Sequence, residues 1–204
     1  LTVKNEEEMH MAASVRDDLH AEITSLEESI VESRKKLADL RHRLPRENVN
    51  DYTFLGPDGG ATKLSQLFGP RDELLLIHNM GKGCSYCTLW ADGFNGFLRH
   101  LENRAAFVVI SPDDPETQRV FAASRGWNFK MLSSKGTTFF KDMGFEKATG
   151  KPMPGVSTFQ RDSEGLIYRV SKADFGPGDD YCAVWHLFEL LPRGVNDWGP
   201  KFSY

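Results

Sequence analysis

Met80-Gly81-Lys82-Gly83-Cys84-Ser85-Tyr86-Cys87-Thr88-Leu89-Trp90 is the stretch from which the fold can be read. It follows Leu74-Leu75-Leu76-Ile77-His78, a continuous apolar run of the kind that forms a strand covered on both faces of a parallel sheet. Two glycines then turn the chain, and a Cys-x-x-Cys opens a helical pattern with Trp90, Phe94, Phe97 and Leu101 on one face and Leu98 beside them. An apolar strand, a glycine turn and a helix that starts on cysteine predict the first half of a β-α-β unit with its chemistry at the strand's end.

Working outward, Ala106 to Ser111 reads as the next buried strand. Asp114 as N-cap and Pro115 at the first helical position start a helix that Gly126 stops. Asn128 to Leu132 predicts another strand, whereas 133–153 has no regular pattern. Val156 to Gln160 and Leu166 to Ser171 bracket Arg161-Asp162-Ser163-Glu164-Gly165 and predict a hairpin, followed by a last helix from about Asp180 to Leu191. Upstream, Tyr52 to Leu55 and Ala61 to Leu64 flank a glycine-rich turn, and one helical turn is expected at Leu64 to Phe68. The fold class expected is α/β, a mixed β-sheet flanked by helices.

This order of elements, with Cys84-x-x-Cys87, resembles the thioredoxin fold over residues 50–192. The hairpin at 52–64 resembles the one that begins peroxiredoxin-like members. More closely, Gly83 to Phe94 is similar to an uncharacterised thioredoxin-like bacterial family, a domain of unknown function that also carries a charged helix ahead of the domain. The resemblance implies thiol redox chemistry. It also implies that Met153-Pro154 is a cis-proline site facing the cysteines and contacting substrate. The departures are plain: Ser85-Tyr86 replaces the Gly-Pro of thioredoxins, and His78 stands where thioredoxins bury an acid. Neither cysteine has both the Pro and the Thr or Ser of the peroxiredoxin pattern, so disulfide exchange is expected ahead of peroxidase activity.

A thiolate is the attacking species in such exchange, and a helix N-terminus favours it. Cys84 is therefore expected as nucleophile, with Lys82 supplying a nearby cation, Cys87 resolving the mixed disulfide and His78 moving a proton to or from Cys87. Tyr86 and Trp90 are expected, with Met153 and Pro154, to meet the substrate. Cys182 and His186, spaced i and i+4 on the last helix, leave three readings open. Cys182 is a buried packing residue, an additional redox thiol, or part of a zinc set Cys84, Cys87, Cys182 and His186. No other cofactor is called for.

Residues 5–44 hold no glycine or proline, and Asn5 with Glu8 has the spacing of a capping box. We expect a helical extension over 1–45 ahead of a thioredoxin-like domain over 46–204. Leu19, Ile23, Leu26, Ile30, Leu37, Leu40 and Leu44 form an apolar stripe in steps of four and three, with Ser33 in the remaining position. Acids lead and bases follow along this helix, an order that suits antiparallel pairing of two copies through residues 15–44.

The chain has 204 residues, a formal net charge of -4 and 40% hydrophobic residues. No basic stripe with interleaved aromatics marks a nucleic-acid surface. No apolar run approaches the ~20 residues of a membrane span, and the acidic N-terminus is the reverse of a signal peptide, so a cytoplasmic protein is expected. Partners are then a protein or small-molecule disulfide and a reductant. The rival reading is a non-catalytic interaction module that keeps its cysteines for zinc or packing.

Overall fold

The computed structural model describes residues 2–204, with side chains from Met9 onward. The glycine- and proline-free stretch forms one helix, α1 (Thr2–His42). Its backbone is already helical at Thr2, so Asn5 lies within the helix rather than capping it, and the side chains of Asn5 and Glu8 fall outside the described residues. Leu1–Leu44 and Pro45–Tyr204 form separate compact units.

The second unit follows the apolar runs. It comprises β1 (Glu47–Asn48), β2 (Thr53–Leu55), β3 (Ala61–Lys63), α2 (Leu64–Leu67), β4 (Glu73–His78), α3 (Ser85–Arg104) and β5 (Ala106–Ser111). After these come α4 (Pro115–Arg125), β6 (Met131–Ser133), α5 (Phe139–Asp142), β7 (Gly155–Arg161), β8 (Ile167–Asp174) and α6 (Ala183–Glu189). The strands make one sheet in the order β1-β8-β7-β4-β5-β6-β2-β3. The pairs β4–β5 and β5–β6 are parallel, as helical crossovers require, and the remaining pairs are antiparallel. This is the mixed sheet with flanking helices that the sequence predicts.

Alternation along β4 divides the core. Leu74 and Leu76 join Phe54, Phe139, Phe145 and Phe159 in one buried cluster, whereas Leu75 and Ile77 pack with Cys87, Trp90, Val109 and Trp185 in the other. The helix starts also have local causes. The side chain of Asp114 accepts from the Thr117 N–H at 3.0 Å at the head of α4, and Gly126 ends that helix at φ 67°. The segment without periodicity, 133–153, is held by α5 and by a bridge between Glu146 and Pro152, and it delivers Phe139, Phe140 and Phe145 to the first cluster. Among the described residues, no helix is long and apolar enough to cross a membrane.

Candidate active site

The cysteine loop is shaped by two side chains. Asn79 continues β4 with its N–H on the Ile110 carbonyl, and its Oδ1 accepts from Gly81 N–H at 2.8 Å. Asp113, just past β5, accepts from Lys82 N–H at 2.6 Å. Gly81 has φ +102°, and a Cβ there would lie 2.7 Å from both Asp113 carboxylate oxygens, so glycine is required twice over. The Cys84 N–H then reaches the Gly81 carbonyl at 3.1 Å, which sets Cys84 as N-cap of α3.

At that position the Cys84 sulfur accepts from Cys87 N–H at 3.0 Å. Its pKa is lowered to about 7, chiefly because the Cys87 thiol donates to it. Partial burial opposes the shift, and the N–H groups of Cys87 and Tyr86 add to it. Cys87 is pushed up, by the same hydrogen bond and by burial. One sulfur is thus poised to ionise near neutrality while its neighbour holds the proton. Cys84 is half-buried and Cys87 buried, so the more acidic thiol is also the more accessible one. Lys82 enters the site through its backbone N–H, and its side chain is exposed.

The other expected site residues are placed differently. His78 falls on the Leu74 and Leu76 side of β4, stacked on Phe145 at a ring-centroid distance of 3.9 Å, whereas Cys87 packs on the opposite face. A proton relay between them is therefore excluded by the period-two geometry of the strand. Met153 packs on the His78 side as well, away from Cys87. All peptide bonds described are trans, so Pro154 is not a cis-proline; pairing of Gly155 with His78 still brings it to the end of β4 from which the cysteine loop leaves. Trp90 is buried, and its indole N–H points to Asp179 at 3.4 Å, so it supports the motif rather than meeting a substrate. Phe97, expected on the buried face, is exposed, and Leu98 takes its place.

Tyr86 stacks on Trp185 with ring centroids 6.0 Å apart, and Trp198 packs on Trp185 in turn, so the C-terminal segment walls one side of the motif. Cys182 lies in the same apolar cluster as Cys87, with its thiol pKa raised by burial. It is the N-cap of α6 in extended conformation, outside the helix, so the i, i+4 relation to His186 does not put the two on one face. His186 is exposed and lies 3.4 Å from Asp180 and 3.3 Å from Glu189. Among the described residues, no three His, Cys, Asp or Glu side chains cluster to hold a metal, and the four-residue zinc set is not assembled.

Two residues that serve the site, Asn79 and Asp113, escaped sequence reading. Asp113 stands next to a strong N-cap, Asp114, which accounts for an acidic pair by itself. Replacing Asp113 by alanine leaves the Lys82 N–H without its acceptor. We expect a loss of about 1 kcal/mol in stability and slower alkylation of Cys84, with Asp113→Asn retaining most of both because its amide oxygen still accepts. Thermal unfolding and iodoacetamide kinetics on the two variants check this.

His78 gives a pH dependence instead of a relay. It is fully buried, its Nδ1 has no partner, and its pKa is held well below 6.5 by burial, with Arg169 and Lys172 adding to the effect. The unfolded chain takes up a proton there near pH 6.5 while the folded chain does not. The stabilisation is therefore complete above that pH and is lost, at about 1.4 kcal/mol per pH unit, as pH falls toward the folded value. Denaturant melts of wild type and His78→Phe between pH 7 and 5 should differ in slope by about that amount per unit.

A mixed sheet with a cysteine pair opening the helix after its central parallel strand defines a thioredoxin-like protein of the peroxiredoxin-like kind. The chain belongs to the family described as bacterial protein of unknown function (DUF899), whose model matches residues 10–203. Peroxiredoxin Q, chloroplastic, from Populus jackii is 25% identical over 141 residues, covering 69% of this chain and 65% of the relative. The Triticum aestivum protein of the same name is 25% identical over 128 residues, 62% of this chain and 58% of the relative. The chain thus spans a little under two thirds of the length of these relatives. Among solved structures, Peroxidoxin BcpB from Mycobacterium tuberculosis is 25% identical with a TM-score of 0.52, covering 63% of this chain and 84% of that one. A peroxiredoxin-like protein from Aquifex aeolicus shares the fold at 18% identity and a TM-score of 0.50, covering 63% and 74%.

Proposed function

We propose that this chain is a thiol-based oxidoreductase that turns over through a Cys84–Cys87 disulfide. The observation that carries the reading is the asymmetry of the pair: an accessible thiol lowered to about 7 beside a buried one that donates to it and stays protonated. With a disulfide substrate, the Cys84 thiolate attacks one sulfur and expels the other as thiolate. The Cys87 sulfur then attacks the Cys84 side of the mixed disulfide, giving up its proton and releasing the second substrate thiolate. A dithiol reductant returns both cysteines to thiols and leaves as its own disulfide.

The relatives named peroxiredoxin Q favour a second oxidant, a hydroperoxide. Here Cys84 takes the terminal oxygen to become a sulfenic acid, and the other oxygen leaves as alcohol or water after protonation. Cys87 condenses with the sulfenic acid and releases water, arriving at the same disulfide. Donors already aimed at the Cys84 sulfur, the N–H groups of Tyr86 and Cys87, suit an anionic sulfur in both schemes.

Insulin reduction and peroxide consumption, each driven by dithiothreitol, test the reading on wild type and Cys84→Ser. Activity in at least one assay that disappears in Cys84→Ser is expected, and which assay responds identifies the oxidant. Equal, negligible rates for both proteins would replace this reading with the interaction module.

A further inference from the structure

Six apolar residues of the α1 stripe, Leu19 to Leu40, and Leu44 two residues past the end of the helix are each 44–58% exposed. A helix of 41 residues with such a seam has the length and spacing of a coiled-coil strand. With Ile23, Ile30 and Leu37 at a positions and Leu19, Leu26, Ser33 and Leu40 at d, the flanking e positions hold His20, Glu27, Arg34 and Arg41, and the g positions hold Glu22, Ser29, Lys36 and Arg43. We infer that α1 pairs with α1 of a second copy as an antiparallel coiled coil centred between Val31 and Glu32.

The register follows from layers and charges together. With that centre, Leu19 meets Leu44, Ile23 meets Leu40, Leu26 meets Leu37 and Ile30 covers Ser33, each contact occurring twice by symmetry. Antiparallel strands set e against e and g against g, so Glu27 faces Arg34 and Glu22 faces Arg43 in both halves. Sliding one helix past the other by one heptad in one direction puts Glu27 on Glu27. Sliding it in the other direction puts Arg34 on Arg34 and Lys36 on Lys36.

A parallel, in-register pair sets g against the next e and makes Glu22 face Glu27 and Lys36 face Arg41, like charges in both places. One arrangement therefore matches every apolar layer and opposes the charges. α1 ends at His42, but Arg43 N–H still bonds to the Asp39 carbonyl at 3.2 Å, so the last charged position remains on the helical course. Arg43 also lies 3.6 Å from Asp39 within its own helix, an exposed pair that is exchanged at little cost.

Sedimentation equilibrium of the full chain tests the pairing, with circular dichroism as the control for helix content. Wild type is expected to be a dimer whose dissociation rises about tenfold or more in Glu27→Lys, because two attractive pairs become repulsive. The double variant Glu27→Lys with Arg34→Glu is expected to return to within about threefold of wild type, because both pairs are restored with reversed signs. Lysine and glutamate have similar helix propensity, so helicity should hold. A monomer at every loading concentration would overturn the inference. So would a dimer that tightens in Glu27→Lys, the response of a parallel pair in which Glu22 gains a cation opposite.

Discussion

Replacing Cys87 by alanine raises the pH at which Cys84 ionises, from about 7 toward the ordinary thiol range. The largest influence on Cys84 is the S–H of Cys87, which donates to the thiolate, and alanine removes it. The backbone N–H of residue 87 survives the substitution, so part of the depression remains. The readout matters. Each unit of rise lowers the thiolate fraction at pH 7 by up to about tenfold, but the more basic thiolate is intrinsically about threefold more nucleophilic per unit, so the net rate falls only about threefold. The midpoint of the alkylation-against-pH curve is therefore the sensitive measurement. Cys87→Ser should shift it less, since a hydroxyl still donates. An unchanged midpoint in Cys87→Ala would mean that the helix terminus alone acidifies Cys84, and the division into nucleophile and proton-holding partner would lose its physical basis. Turnover through an intramolecular disulfide should be lost in both variants.

What could be read from the residues was whatever leaves a local mark. Asp114, Pro115 and Gly126 carry start and stop chemistry in three side chains, and α4 runs between them. The apolar runs 74–78 and 106–110 are β4 and β5, paired in parallel. What failed were questions of side and direction. A strand apolar on both faces hides its alternation, so nothing in Leu74-Leu75-Leu76-Ile77-His78 tells that His78 faces Phe145 rather than Cys87. The spacing of Cys182 and His186 has meaning only inside a helix, and α6 begins one residue after Cys182.

The two-residue strand β1 has no period to detect; it is fixed by pairing with β8, where Arg169 binds Glu47. Asp92 was equally opaque on α3. It accepts from the Trp127 indole at 2.8 Å and pairs with Arg125, which ties the cysteine helix to the end of α4. The site was thus legible at its two sulfurs, whose spacing is local. It was not legible in the second layer, Asn79 and Asp113, whose partners are backbone N–H groups that any sequence would supply.

Gly155→Ala is expected to be the most damaging single methyl in the domain. Gly155 opens β7, and its backbone does not require glycine; the requirement comes from its neighbours. A Cβ there would lie 2.1 Å from Cε1 of Phe145 and 2.5 Å from the carbonyl oxygen of Ala173. The second contact is with the backbone of β8, paired to β7 along its length, so it yields only if the strands separate. The first is with a ring that is fully buried and already stacked on His78, itself stacked on Phe139 at 5.3 Å, so the ring has no room behind it.

Ordinary overpacking costs about 1–3 kcal/mol, and this site sits at or beyond the upper end because one of the clashing atoms is backbone. For a domain of this size, about 3 kcal/mol corresponds to a fall in Tm of roughly 10 °C. Calorimetry on Gly155→Ala and on Gly155→Ala with Phe145→Leu separates the two contacts. If the ring is the main obstacle, the smaller side chain recovers part of the loss. If the carbonyl dominates, Phe145→Leu only adds a cavity, and the double variant melts lower still. Because Gly155 pairs with His78 at the end of β4, the first turn of the cysteine loop should loosen with it. Alkylation of Cys84 in the single variant should therefore lose its midpoint near 7 before the domain unfolds. A variant that melts within about 1 kcal/mol of wild type would mean that Phe145 is not wedged between Gly155 and His78, and the packing that separates His78 from the cysteine face would have to be redrawn.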